Sequence, residues 1–345
     1  MILRQESPSG MKSSVIGQGT WSMGGDRQWG EMDEKRAIDT IRFSLESGIN
    51  LIDTALVYGF GRSERLVGKA IEGFDRSQVL IQTKCGLCWR GETGAFHMER
   101  DGKVLRRNLT KKGIFEGLEE SLSNLGTDYV DIYMTHAQAI EPFKTPIAET
   151  MEALMELKRA GRIRGIGVSN CSKEELIEYL KYGPVDVIQE KFSMLDREKA
   201  EQLLDICKEN GILFQAYSPL EQGLLSGEIS MDYVIPQGHV RSRNIWWRPK
   251  ARRRILVLLE KWNPLCEKYQ CSMTALVTSW ICGYSRQMVV LAGGSQIKHI
   301  KDYIQGGLFV IEEKDWLKMN REIEETIKEI WEPGMEKESG SKKLS

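Results

Sequence analysis

The chain has 345 residues, 41% of them hydrophobic and 28% charged, with a formal net charge of -1. That composition describes a globular protein with ample material for a core and no global pull toward nucleic acid or anionic membrane. No apolar run approaches a membrane span and the first residues lack the hydrophobic centre of a signal sequence, so the expected location is cytoplasmic. Seven cysteines at irregular positions fit reduced, packed thiols better than a disulfide framework.

Residues 1–14 are polar and read as an outer flap before a short strand, Ser14-Val15-Ile16-Gly17, that leads into Gln18-Gly19-Thr20-Trp21. A helix follows, with Asp33 as its cap, Ala37, Ile38, Ile41 and Leu45 on one face and Gly48 where it stops. Asn50-Leu51-Ile52-Asp53 is an apolar strand that ends in an acid, with Tyr58-Gly59 five residues on. A carboxylate there needs a partner or a cavity, because an isolated buried charge is prohibitively expensive. A second helix opens at Ser63, buries Leu66, Val67, Ala70 and Ile71, and ends at Gly73. Val79 to Lys84 reads as a strand, Glu99 to Val104 as a hairpin around an Asp101-Gly102 turn, and Thr110 to Gly126 as a helix. The strand Tyr129 to His136 precedes a helix with Thr145 as cap, Pro146 in its first position and Gly161 as stop. Ile163 to Asn170 is a strand before the capping box Ser172-Lys173-Glu174-Glu175. Three more pairs follow: strand Val185 to Gln189 with a helix near Lys199 to Asn210, strand Ile212 to Tyr217 with one near Ser272 to Gly283, and strand Met288 to Ala292 with one from about Ile297.

Eight apolar strands alternating with helices predict a parallel sheet covered on both faces, closed as a (β/α)8 TIM barrel with long βα loops and a C-terminal helix. A doubly wound sheet is the competing architecture. Residues 1–332 are expected to form one barrel domain, and the charged residues 333–345 a disordered tail. In such a barrel the C-terminal strand ends form the active rim. Here they carry Gly19, Thr20 and Trp21, Asp53 with Tyr58, Lys84, His136, Ser169 and Asn170, Gln189, Tyr217 and Ser218, and Gly293-Gly294-Ser295. A lysine held by an acid beside a phenol favours the phenolate, so Lys84 and Asp53 are expected to lower the pKa of Tyr58 and make it a general acid near neutral pH. His136 closes its strand on the same rim and reads as the catalytic companion.

Gly17-Gln18-Gly19-Thr20-Trp21, Asp53-Thr54-Ala55 with Tyr58-Gly59, Thr83-Lys84, Leu125-Gly126-Thr127-Asp128-Tyr129-Val130-Asp131 with His136, Gly165-Ile166-Gly167-Val168-Ser169-Asn170 and Ala216-Tyr217-Ser218-Pro219-Leu220 together resemble the aldo-keto reductases over nearly the whole chain. The resemblance implies a (β/α)8 reductase of monomeric type that uses NAD(P)H without a Rossmann domain, with Asp53, Tyr58, Lys84 and His136 as catalytic tetrad. It further implies that Ser169, Asn170 and Gln189 hold the carboxamide, that Tyr217 stacks on the nicotinamide, that Leu220 and Gln222 flank the pyrophosphate, and that Gly19, Thr20, Trp21 and Ser218 belong to the cofactor's surroundings. Gly293, Ser295, Gln296, His299 and Asp302 would line its adenosine end. Many relatives carry arginine there, and a guanidinium contact to the 2′-phosphate is not reproduced by Gln296 or His299. The expected NADP preference is therefore weakened or reversed toward NAD, although Lys298 could compensate by turning inward and the Gly293-Gly294-Ser295 backbone donors suit either cofactor.

The expected activity is hydride transfer between the nicotinamide and a carbonyl or alcohol, with a sugar or polyol preferred and small aldehydes open. Ala137-Gln138 stands where many relatives carry a bulky tryptophan, so a roomier, more polar pocket is expected. Two alternatives are a Schiff-base lyase acting through Lys84 and a non-catalytic cofactor-binding barrel. Cys85-Gly86-Leu87-Cys88 has no second ligand pair, so no metal is expected. The basic, aromatic run from Arg241 to Arg254 reads as a loop over the cofactor phosphates or the solvated start of a helix, not as a nucleic-acid surface. The only partner expected is a small-molecule substrate, with neither nucleic acid nor membrane, and nothing in the sequence signals an oligomeric state.

Overall fold

In the computed structural model, which describes residues 4–25 and 29–331, the chain opens with an antiparallel pair, β1 (Arg4–Glu6) and β2 (Lys12–Ser14). β3 (Ile16–Gly19), α1 (Glu34–Glu46), β4 (Leu51–Asp53), α2 (Arg62–Ile71) and β5 (Leu80–Cys85) begin the alternation. A small antiparallel sheet interrupts it, with β6 (Leu87–Cys88), β7 (Ala95–Arg100) and β8 (Lys103–Arg107). Then come α3 (Lys111–Leu125), β9 (Val130–Thr135), α4 (Ile147–Arg159), β10 (Ile163–Ser169), α5 (Lys173–Tyr182), β11 (Val187–Lys191), α6 (Glu198–Asn210) and β12 (Leu213–Tyr217). A long excursion leads to α7 (Pro249–Lys261), α8 (Asn263–Tyr269) and α9 (Met273–Cys282), and β13 (Met288–Ala292), α10 (Ile297–Gly306) and α11 (Glu313–Ile330) complete the chain. Strands β3, β4, β5, β9, β10, β11, β12 and β13 pair in that order, all parallel, and close into a barrel. The expected disordered tail, 333–345, lies outside the described residues.

Local sequence explains most of the boundaries. Asp33 accepts from the Arg36 backbone N–H at 2.7 Å, Thr110 from Gly113 at 3.2 Å, and Ser172 and Glu175 cap each other reciprocally. Two expected caps differ. Pro146 is itself the N-cap of α4, and α2 starts from Gly61 at a φ of 85°, a left-handed turn that glycine adopts without strain. Ser63 is thereby freed to sit buried between Thr20 and Thr54, with hydroxyl contacts of 2.7 and 2.9 Å. The expected flap at residues 1–14 contains a hairpin closing the end of the barrel where the strands begin. Ser7 Oγ and the Ser9 N–H both donate to Asp186 Oδ1, at 3.0 and 2.8 Å, and the Ser14 N–H donates to Asn50.

The two-residue period of each strand sends alternate side chains inward, and their chemistry changes with height. At the start of the strands Leu51, Leu80, Ile132, Val187, Leu213, Val289 and Leu291 form one buried apolar cluster. Burying each such side chain contributes roughly 1.5–3 kcal/mol. Gly17 completes that layer, since a Cβ there would stand 2.9 Å from both Leu51 and Leu291. Two residues higher come Asp53, Gln82, Gln189 and Gln215, and above those Lys84, His136, Ser169 and Tyr217. The apolar floor holds the barrel together and the polar storeys form the site.

Candidate active site

Asp53 ends β4 and Lys84 lies near the end of β5, its neighbour in the barrel, so the pairing of the two strands brings their inward side chains together. Lys84 Nζ donates to Asp53 Oδ1 at 2.7 Å, to the Thr54 carbonyl at 2.8 Å and to Tyr58 Oη at 3.2 Å. Tyr58 sits in the turn that follows β4, its backbone N–H bonded to the Ala55 carbonyl at 2.9 Å. His136, just beyond β9, meets the Tyr58 ring edge-on with 5.6 Å between centroids. The Asn170 side-chain amide donates to the His136 carbonyl at 2.8 Å and fixes the start of that loop.

Burial governs the charges. It pushes the Tyr58 phenol well above its usual pKa, the Asp53 carboxylate adds to this, and the Arg100 guanidinium opposes it. The expectation that Lys84 would lower the phenol's pKa is therefore corrected. The same ammonium is matched at 2.7 Å by Asp53, so its stabilisation of the phenolate offsets only part of the cost of burial. Burial also lowers Lys84, against the pull of Asp53. His136 is held well below the usual imidazole range by burial first and then by Lys84, His97 and Arg100, so it is a neutral ring at physiological pH.

A cavity of about 670 Å³ opens from this centre along the strand ends. Of the residues singled out by sequence, Gly19, Trp21, Asp53, Tyr58, His136, Ser169, Asn170, Gln189, Tyr217, Ser218, Leu220, Gln222, Gly293, Ser295 and His299 lie on its wall. Thr20, Lys84, Gln296 and Asp302 do not. Thr20 is buried with its hydroxyl on the Asp53 carbonyl at 2.8 Å, Lys84 stands behind Tyr58, Gln296 is the exposed N-cap of α10, and Asp302 leaves the wall to its neighbour Tyr303. Asn170, Ser218 and Gln222 have φ values of 53, 54 and 59°, a conformation non-glycine residues rarely hold, so the wall after β10 and β12 carries backbone strain.

Gln138 corrects the expectation of a polar pocket after His136. Its amide is buried, donating to the Ser169 carbonyl at 2.9 Å and accepting from Tyr179 Oη at 2.7 Å, and Ala137 packs with Val57 and Leu105. Polarity comes instead from the β7–β8 hairpin, which contributes His97, Met98, Arg100 and Leu105 to the cavity. Arg107 Nε donates to His97 Nδ1 at 3.2 Å, and burial followed by the charges of Arg107 and Arg100 lowers the His97 pKa to about 4. Sequence reasoning found the hairpin turn and missed its inward face; a histidine in a short strand was the available signal.

In the excursion after β12, the basic run expected as a loop or a helix start places Arg241 and Arg243 on the cavity wall and opens α7 at Pro249, whereas Glu228 and His239 were missed. Both of these line the cavity too, and Trp29 from the loop after β3 meets His239 edge-on at 5.4 Å. Trp246 and Trp247 are buried, and Trp247 Nε1 donates to the Glu221 carbonyl at 2.8 Å, so they anchor this loop from behind. Cys85 and Cys88 are free thiols whose pKa burial raises, Cys85 to about 12, and the described residues contain no group of side chains arranged to hold a metal.

A parallel eight-stranded barrel with a phenol, an ammonium, a carboxylate and a neutral imidazole gathered at the C-terminal end of its strands defines a class of barrel enzyme equipped to deliver a proton to a polar substrate. The sequence model of the aldo/keto reductase family matches residues 15–324. A protein of Escherichia coli named NADH-specific methylglyoxal reductase is 44% identical over 292 residues, 84% of this chain and 89% of its own. An aldo-keto reductase of Bacillus subtilis is 34% identical over 321 residues, 92% of each chain. Among solved structures, the glycerol dehydrogenase of Gluconobacter oxydans superposes with a TM-score of 0.85 at 26% identity, covering 96% of this chain and 98% of that one. The chain belongs to the aldo-keto reductase family, and it is a nicotinamide-dependent oxidoreductase of carbonyl and alcohol substrates. A Schiff-base lyase is set aside accordingly; Lys84 contributes no surface to the cavity and its ammonium is ion-paired.

Proposed function

We propose that this protein reduces small oxygen-rich carbonyl compounds with NADH, with Tyr58 as the proton donor. The observation that carries the reading is the continuous contact from Asp53 through Lys84 to Tyr58 Oη at the wall of the cavity, beside His136. The residues present fit a nicotinamide cofactor. Gly293 has nothing within 4 Å of where a Cβ would stand, and Gln189 Oε1 has no partner among the described residues and is available to a carboxamide. A reduced nicotinamide bound there supplies the hydride. Tyr58 gives its proton to the carbonyl oxygen, and the Lys84 ammonium stabilises the phenolate left behind. Asp53 keeps Lys84 charged and in place, and His136, a neutral ring, donates a hydrogen bond that orients the carbonyl. A phenol held above its usual pKa is protonated at neutral pH but a weak acid, so its proton transfer depends on the Lys84 ammonium at 3.2 Å that stabilises the phenolate.

NADH is preferred in this reading because Glu228, on the cavity wall, pairs with Lys298 and lies 3.7 Å from His299 Nε2. Those are the two basic residues in the first turn of α10 that a 2′-phosphate could meet, and the carboxylate beside them pairs with the lysine and repels a further anion. Small substrates are favoured by the 44% identical reductase of methylglyoxal and by the hairpin's His97 and Arg100 among apolar Leu87, Met98 and Leu105. The reading takes residues 1–332 as one catalytic unit in the cytoplasm, which the seven free thiols support, needing neither nucleic acid nor membrane; among the described residues no helix is long and apolar enough to cross one.

The test is a panel of 2-oxoaldehydes, sugars and polyols followed by cofactor absorbance with NADH and NADPH. Tyr58→Phe is expected to lower turnover by about two to four orders of magnitude while cofactor affinity stays within a few-fold. Substantial turnover in that variant overturns the acid assignment. NADPH binding more than about a hundredfold tighter than NADH, roughly 2.7 kcal/mol, overturns the cofactor assignment.

A further inference from the structure

One storey below Lys84 lie three buried glutamines that the proposed reaction leaves unused as a group. Gln82 on β5, Gln189 on β11 and Gln215 on β12 have accessibilities of 0, 4 and 0%. Gln82 Nε2 donates to Asp53 Oδ1 at 2.6 Å and to Gln215 Oε1 at 2.8 Å, and Gln189 Nε2 donates to the same two oxygens at 2.9 and 3.0 Å. Gln215 Nε2 returns a bond to Gln82 Oε1 at 2.9 Å. With Lys84 Nζ at 2.7 Å, a single carboxylate oxygen receives three N–H donors.

A lysine and an aspartate this deeply buried have a way to avoid the cost of two desolvated charges: the proton crosses their short bond and both become neutral. A neutral Lys84 could not support a phenol that must become a phenolate. The glutamines oppose that transfer. The transferred proton would stay on the line to Lys84 Nζ, but Oδ1 also receives the Gln82 and Gln189 N–H groups, which favour a charged carboxylate over a neutral acid, and Gln215 Oε1 takes the second N–H of both amides and so holds their nitrogens toward Oδ1. We propose that Gln82 and Gln215 are positioning residues of the reduction: Gln82 as a fixed donor keeps the shared proton on Lys84, and Gln215 locks the orientation of that donor. The assignment rests on Tyr58 being the acid.

Gln82→Met and Gln215→Met keep chain length and remove the amides. Each is expected to lower kcat for reduction about tenfold or more, with substrate KM and the NADH Kd within about threefold, and the double variant to lose little beyond the worse single one. Infrared spectra of protein labelled in its aspartate carboxyls, with Asp53→Asn subtracted, are expected to show an ionised Asp53 in the native enzyme and a protonated carbonyl band growing in at its expense in the variants. Gln215→Met leaves the direct donors to Asp53 in place and carries the test should Gln82→Met not fold. Native turnover in folded variants, or lost turnover with an unchanged carboxylate band, overturns the proposal. Tyr58→Phe assayed alongside separates the two ideas: if it stays active the acid assignment has failed, and if it is dead while the glutamine variants are native, only this inference has.

Discussion

Glu190 follows Gln189 on β11 and, by the strand's period of two, faces away from the barrel interior. It is 2% exposed, and its carboxylate accepts from the Cys171 N–H at 2.7 Å. Burial raises its pKa from 4.5 to about 7, against the lowering effect of that bond and of Lys199. The folded protein therefore holds a proton here that the unfolded chain has released, between the two values. Stability from this group is complete below about pH 4.5 and is lost as pH rises through about 7, a swing on the order of 3 kcal/mol. Glu190→Gln should raise the melting temperature at pH 8 and do so much less at pH 5; an equal shift at both would count against a buried neutral acid. Residues such as Asp53, Lys84 and His136 were legible because each interrupts or ends an apolar run. Glu190, Gln82 and Gln215 were not, since an isolated polar residue inside a strand gives no sign of which way it turns until its partners on other strands are known.

Among the elements, α10 is where cofactor choice is argued. Its first turn carries Lys298 and His299, and Glu228 reaches them from the excursion after β12. Glu228→Ala should release Lys298 and narrow the gap between NADH and NADPH dissociation constants by about tenfold or more, with the gain in NADPH affinity shrinking as salt rises. An unchanged ratio would place the preference elsewhere. The loss of arginine near α10 was visible in the sequence, whereas Glu228, about seventy positions away, was not. The same contrast runs through the other elements. Local signals marked the Asp101-Gly102 turn and the capping box of α5, but α7 and α8 merged into a basic run and the β1–β2 hairpin into a polar flap, because their apolar contacts are with distant parts of the chain.

At the scale of the whole molecule, repeated alternation made the barrel legible well before any single boundary was, as the eight strands repeat one pattern and their errors of one or two residues do not change the topology. What sequence could not supply is how the interior closes. Gly17 has no side chain where Leu51 and Leu291 converge, so Gly17→Val should overpack the floor and cost about 1–3 kcal/mol of stability in urea unfolding. Native stability in that variant would mean the two leucines yield freely.

The chain has four histidines, and His97, His136, His239 and His299 all lie on the wall of one cavity. His97 stands in the substrate hairpin, His136 beside Tyr58, His239 under Trp29 and His299 at the start of α10. The ring-proton region of an ordinary NMR spectrum is thus already a four-channel readout of this cavity. Substrate analogues should perturb the first two signals and the adenosine half of a cofactor the last, without a label or an engineered reporter.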